Sequence, residues 1–461
     1  MGDTRRDFLK LATALGCSSR LCGAEGWDQA PAILARIKAP VFPKRDFDIT
    51  RYGAVADGQK DCTDAIANAI AAANQAAGGR VVVLAGTFLT GPVHLKSNVE
   101  LHIAEGATLR FLRDPRRYLP LVYTRWEGVE CMNYSPFVYS YGADNIGITG
   151  SGVVDGNSDC EHWWPWKGRA ECGWTKGQPK QDEGRNLLFK WGAEDVPLKD
   201  RKLGEGYYLR PSFIQPVRAR NVLIEDITIL NSPMFEINPL LSTNVTVRNV
   251  KINSHGPNND GCDPDSSTDV LIEKCTLDTG DDCIAIKSGR NRDGRRVARP
   301  TENVIIRNCR MKDGHGGVAI GSEMSGGVRN VFVENCQMDS PHLDHAFRLK
   351  TNAMRGGAIE NVFFRDVQIG EVAHSVLLID FYYEEGPSGP ERPLVRNIDL
   401  RNVTCRHAEY GLNLRGFPNA EIQNVHVERC TFERVDNPNI VENVEGLRQV
   451  DVVMNGKRSD A

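Results

Sequence analysis

No stretch of this 461-residue chain reaches the roughly 20 consecutive apolar residues that a membrane-crossing helix needs. None of its 13 cysteines stands three positions from another, so the Cys-x-x-Cys spacing of zinc and redox sites is missing. Their scatter also excludes a small disulfide-stapled scaffold. Charge of one sign is equally scarce: 56 Lys and Arg against 60 Asp and Glu leave a formal net charge of -4. That balance gives no reason to expect nucleic acid or an anionic membrane surface as a partner, and any acidic ligand must find its cations locally. A monomer is the expectation.

What the chain does have begins with paired Arg5 and Arg6, followed by Phe8, Leu9 and a short apolar run from Leu11 to Gly16. This resembles a twin-arginine export signal over residues 1–26, directing the protein to the periplasm or outside the cell, and "ALGC" ending at Cys17 loosely resembles a lipidation site. Residues 27–44 read as a linker and 441–461 as a tail.

Between them one phrase recurs. It reads "NVLIEDITI" at 221, "NVTVRNVKI" at 244, "DVLIEKCTL" at 269 and "NVIIRNCRM" at 303. It returns as "NVFVENCQM" at 330, "NVFFRDVQI" at 361, "NIDLRNVTC" at 397 and "NVHVERCTF" at 424. Alternation within each copy is that of a strand with one buried face, and the leading Asn or Asp suits a turn into it. Short strands that cannot bury their own apolar face stack into a right-handed parallel β-helix, which makes residues 45–440 a single all-β domain. Residues 61–77 read as a helix with Ala65, Ile66, Ala69, Ile70 and Ala73 on one face, capping the open N-terminal end. Cysteines such as Cys262, Cys275, Cys283 and Cys309 fall inside the strands, where buried thiols are expected.

Stacking brings distant charges together. Aligning "DDCIAIKS" (281–288), "HGGVAIGS" (315–322) and "HAFRLKT" (345–351) superposes Ile284, Val318 and Phe347 inside, and sends Lys287, Arg348 and Lys350 outward. One coil earlier, "NNDGCDPDS" (258–266) puts Asp260 under Asp282, and His315 falls above Asp281. Crowded carboxylates raise one another's pKa, which separates a group that keeps its proton from groups that stay charged. Glycoside hydrolysis needs that pair of roles, and the neighbouring cations suit an acidic sugar. A calcium site built from Asp260, Asp263, Asp265 and Asp282 is the competing reading, though it has no need of Arg348 and Lys350.

These residues resemble glycoside hydrolase family 28, the polygalacturonases. Its four motifs stand in order: Asn258-Asn259-Asp260, Asp281-Asp282, Gly314-His315-Gly316 and Arg348-Leu349-Lys350. Asn259 departs from the usual middle Thr. The resemblance implies inverting hydrolysis of α-1,4-linked galacturonic acid in pectin, with no metal or organic cofactor. It makes Asp281 the general acid, Asp260 and Asp282 the groups that hold and deprotonate water, and His315 the support of Asp281. Arg348, Lys350, Asn258, Lys287 and Tyr383 (or its neighbour Tyr382) would bind the polysaccharide. A long insert, residues 157–208, carries Trp163, Trp164, Trp166, Trp174 and Trp191. These pack the insert against the solenoid or stack on sugar; an insert closing one end of the groove means attack from a chain end. Rhamnogalacturonan or xylogalacturonan hydrolysis, a Ca²⁺-dependent pectate lyase and a non-catalytic carbohydrate-binding solenoid are the alternatives.

Overall fold

Every repeat copy starts on a left-handed residue. In the computed structural model, which describes residues 24–459, φ is 57° at Asn221, 58° at Asn244, 58° at Asp269, 59° at Asn303 and 54° at Asn424. Asn and Asp adopt that backbone at little cost. Five positions on, a second left-handed residue follows, as at Asp226, Asn249 and Asn308. The two bracket a strand and set the corners at which the chain changes direction.

Repetition of these corners winds the chain into a parallel β-helix. One sheet of 13 strands runs from Asp46–Asp48 to Val444–Val450, and a second of 14 from Asp57–Asp61 to Lys457–Ser459. Inside, Val222, Val245, Val270, Val304, Val331, Val362, Ile398 and Val425 stack coil on coil. All are buried. The third face comes in two pieces, three strands ending at Ile214–Val217 and six starting at Ile284–Ile286. Two columns of isolated bridges join them, one through Ile237 and Cys262 and one through Leu240 and Asp265. Leu240 bridges Asp265, so Pro239 and Pro264 just before them share a column, where neither has an N–H to give a ladder. Asp260, Asp263 and Asp265 lie in that irregular stretch.

The helix Thr63–Gln75 covers the N-terminal end with the five expected apolar residues buried. The segment expected as a linker, 27–44, is instead a strap on the first sheet. Its helix Ala30–Arg36, with Trp27, Ile33 and Ile37, packs on Leu271, Ile305, Phe332 and Phe363. These four occupy outward strand positions, and their apolar character requires a cover. Asparagines of successive coils bond in a ladder, Asn244 to Asn221 at 2.6 Å and Asn221 to Asn145 at 2.7 Å. Asp269 has no N–H to continue it. There Arg36 closes on both Asp269 oxygens at 2.7 and 2.9 Å, and the Lys38 backbone N–H donates to Asn244 Oδ1.

The expected tail differs too. Val444–Val450 and Val452–Met454 add one more coil, and Lys457–Ser459 folds back antiparallel on it. Gly446, φ 73°, takes the corner that Asn424 holds one coil earlier, which hides the repeat. Residues 1–23 of the export-like segment lie outside the described residues.

Two excursions leave the coil beside the third face. The insert holds the helix Asp182–Ala193 and the disulfide Cys160–Cys172. The other, unforeseen, is the antiparallel hairpin Val122–Trp126 with Val129–Asn133. They share an apolar cluster of Trp126, Val129, Cys131, Leu188, Leu203, Leu209, Met234 and Phe235. The nine other described cysteines are free and buried, as their strand positions imply.

Candidate active site

The expected register is the register found. Ile284 pairs with Val318 and Val318 with Phe347, while Ile286 pairs with Ile320 and Ile320 with Leu349. Cys262 bridges Ile284 and Asp265 bridges Lys287, which sets Asp260 beside Asp282. The His315 N–H donates to the Asp281 carbonyl at 3.2 Å. Nine candidate residues from five regions of the chain thus meet at one place on the third face.

Asp282 is buried, with Arg348 Nη1 donating to Oδ1 at 3.1 Å and Lys350 Nζ to Oδ2 at 2.7 Å. Asp281 lies beside it, partly open to solvent. Its Oδ1 is 2.9 Å from His315 Nδ1 and its Oδ2 accepts from Asn258 Nδ2 at 3.5 Å. The glycines flanking His315 have steric reasons to be there. A Cβ on Gly314 would sit 2.3 Å from the Asp281 carbonyl oxygen, and one on Gly316 would sit 2.8 Å from Asp282 Oδ1. The Tyr383 ring lies 5.4 Å from Lys350 Nζ and 5.8 Å from the Arg348 guanidinium. Tyr382 turns away, packing on Phe417 and Arg415.

Electrostatics divides the three carboxylates, though not as the sequence suggests. Burial is the chief force on Asp260, opposed by Lys287 and reinforced by Asp281 and Asp282, and its carboxyl is pushed up to about 7. Burial also works to raise Asp281, but the His315 hydrogen bond and charge, with Lys350 and Arg348, outweigh it and hold the group well below the usual range. Asp282 is held down likewise, its burial outweighed by Lys350 and Arg348. His315 is raised, first by its bond to Asp281. Of the three carboxyls it is therefore Asp260 that is pushed toward holding a proton, while the bond to Asp281 favours the charged form of His315. Asp281, the expected acid, is instead driven toward the carboxylate by His315.

Lys287 is a second correction. It leaves the solenoid interior as predicted, yet it is buried beneath the Phe235 ring. Its ammonium lies 3.2 Å from Asp260, 3.5 Å from Asp263 and 3.5 Å from Glu323. Three carboxylates occupy it, so it balances their charge and offers nothing to a substrate. The Phe235 segment, whose ring covers it, is invisible to strand alternation. Asp263, read from sequence only as a possible calcium ligand, joins this cluster through Lys287, and Glu323 was missed; it follows the aligned Ser322 by one residue, and extending the alignment would have found it.

Asp260, Asp281 and Asp282 each offer an oxygen within 4.8 Å of the others, a spacing a cation could use. Each already faces a protein cation: Lys287, His315 and the Arg348–Lys350 pair respectively. That charge balance suits an organic acid arriving from solvent better than a metal.

Of the insert tryptophans, Trp163 is buried and meets Trp166 and Tyr118, while Trp164 Nε1 donates to the Ser232 carbonyl. Trp164 lies on Gly256, where any Cβ would be 2.3 Å from its ring. They fasten the insert to the coil.

Comparison with known proteins agrees with this geometry. The fold is similar to that of a hyperthermoactive exopolygalacturonase from Thermotoga maritima, with a TM-score of 0.92 and 43% identity over 94% of this chain and 97% of that one. A probable polygalacturonase of Vitis vinifera is 26% identical over 83% of this chain and 73% of its own length. An exo-poly-alpha-D-galacturonosidase of Dickeya chrysanthemi is 27% identical over 82% of this chain and 64% of its own. The family model for glycosyl hydrolases family 28 matches residues 200–444, a stretch holding all nine candidate residues. With this coil, this cluster and that match in agreement, the chain belongs to glycosyl hydrolases family 28.

Proposed function

We propose that this glycoside hydrolase cleaves α-1,4-linked galacturonic acid in polygalacturonate, one unit at a time from a chain end, with inversion. The observation that carries the reading is Asp282 clamped between Arg348 and Lys350 next to the Asp281–His315 pair. A sugar carboxylate arriving at Arg348 and Lys350 cancels part of the positive field that holds Asp281 low. The proton shared with His315 then moves onto Asp281, which gives it to the glycosidic oxygen as the bond breaks. Asp282, kept anionic by the same two cations, takes a proton from the attacking water, and Asp260 holds that water. Tyr383 covers the cations from the side.

The insert beside the groove supports attack from an end, as does the similarity to two exo-acting proteins. The paired Arg5 and Arg6 support export, and Cys160–Cys172 suits the oxidising compartment beyond the membrane. The deciding experiment is chromatography of products from polygalacturonate over time. Galacturonate monomer from the first sample, with chelator present and no unsaturated UV-absorbing product, is expected. A ladder of oligomers would mean internal cleavage, and an unsaturated product a lyase.

A further inference from the structure

Two cations at the insert side of the site have no carboxylate partner among the described residues. Lys167 Nζ donates to Asn258 Oδ1 at 2.7 Å, and Arg210 Nη2 donates to the same oxygen at 2.8 Å. Arg210 is fully buried, and its remaining contacts are neutral: the Pro233 and Pro257 carbonyls and Gln181. Among the described residues Lys167 has no other hydrogen bond or ion pair. The nearby carboxylates are committed elsewhere, Glu127 to Arg185 at 2.7 Å and Asp281 to His315 at 2.9 Å. Burial lowers the proton affinity of Lys167, an effect that an arriving anion would reverse.

Lys167 is also held in place. It closes the short helix Trp164–Lys167, pinned by buried Trp163 and by the Trp164 bond to Ser232, and ended by Gly168 at φ 77°. Asn258, which it touches, stands one coil before Asp281 and three before Arg348, and neighbouring strands are about 4.8 Å apart. Along the axis the carboxylates therefore lie between two sets of cations, Lys167 with Arg210 on one side and Arg348 with Lys350 on the other. The first set belongs to the insert side of the groove.

We propose that Lys167 is a specificity-determining residue that binds the carboxylate of the terminal galacturonate, on the opposite side of the cleaved bond from Arg348 and Lys350. Arg210 fixes Asn258 between that carboxylate and Asp281, so an acidic sugar at the chain end is sensed next to the acid. The proposal rests on the hydrolytic reading above and deepens it.

The test compares two trisaccharides, trigalacturonate and the same sugar carrying a methyl ester on its non-reducing terminal unit. Wild type is expected to favour the free acid in kcat/KM, and Lys167→Met to lower kcat/KM for the acid on the order of 10- to 100-fold while leaving the ester nearly unchanged. Lys167→Arg should keep the preference. Thermal unfolding checks that the insert still packs. A Lys167→Met enzyme that discriminates as wild type does, or one that loses both substrates equally, overturns the proposal, since the second pattern is that of a lysine that only props Asn258. Failure of the underlying reading is separately visible: wild type would then release galacturonate from neither sugar.

Discussion

Arg348 reaches back across an entire coil to donate to Asp282, Nη1 to Oδ1 at 3.1 Å. The residue of the coil between them at that point is Gly316, where a Cβ would lie 2.8 Å from Asp282 Oδ1 and 3.3 Å from Arg348 Cβ. The glycine is thus the opening through which the ion pair forms. Gly316→Ala is expected to separate the two charges and cost roughly 10²-fold in kcat, the scale of one misplaced acid–base group. Its thermal midpoint should fall as well, because the added methyl overpacks the site and loosens a buried ion pair. Wild-type turnover in this variant would mean that Arg348 and Asp282 need not touch.

Asp281→Asn and Asp282→Asn remove the proposed proton donor and the proposed base without changing shape. Each should lower release of reducing sugar from polygalacturonate by at least ~10²-fold, with circular dichroism unchanged. Near-normal rates in both would rule out the assigned roles.

Asp260 gives stability a definite pH dependence. Its folded pKa of about 7 stands above the ordinary 3.8, so the folded chain binds a proton that the unfolded chain has released between those values. The associated stability is fully present below 3.8 and is lost as pH rises through about 7. Asp260→Asn abolishes that loss. In urea titrations across this window wild type should fall relative to the variant as pH increases. Parallel curves would place the proton elsewhere, with Asp263, which burial also raises, as the first alternative.

The repeat and the register were legible because both follow from strand geometry. Asn221 and its counterparts mark the corners, and matching Ser288 with Ser322 was enough to set His315 over Asp281. What escaped was whatever lies on top of the coil. Leu271, Ile305, Phe332 and Phe363 are apolar at outward positions, a signal that the segment around Trp27 would cover them, but alternation read alone treats such positions as solvent-facing. Lys287 was misjudged for the same reason. The protonation pattern escaped because it depends on burial and on which cation each carboxylate meets, neither of which a one-dimensional alignment contains.

Lys350 has one ammonium that holds Asp282 and, in the proposed function, also binds the acidic sugar. Lys350→Ala should raise KM for polygalacturonate by roughly tenfold or more, as one charged contact is lost. It should also lower kcat, since Asp282 then keeps only Arg348 and takes up a proton more easily. A change confined to KM would separate the tasks and leave Arg348 alone responsible for the base.

Stereochemistry is the point at which spacing and family pull apart. Inverting glycosidases usually hold their two carboxyl groups about 6.5–9.5 Å apart and retaining ones about 5–5.5 Å. Here the nearest oxygens of Asp260, Asp281 and Asp282 are all within 4.8 Å, which taken alone favours a covalent intermediate. Charge favours the other outcome. Both oxygens of Asp282 are engaged by cations and Asp260 is protonated up to about pH 7, so neither is a strong nucleophile, whereas Asp282 can still accept a proton from water. The first galacturonate released from the α-linked chain should therefore be the β anomer, seen by proton NMR before mutarotation. The α anomer appearing first, or a glycosyl group trapped on Asp282, would show that proximity had outweighed charge.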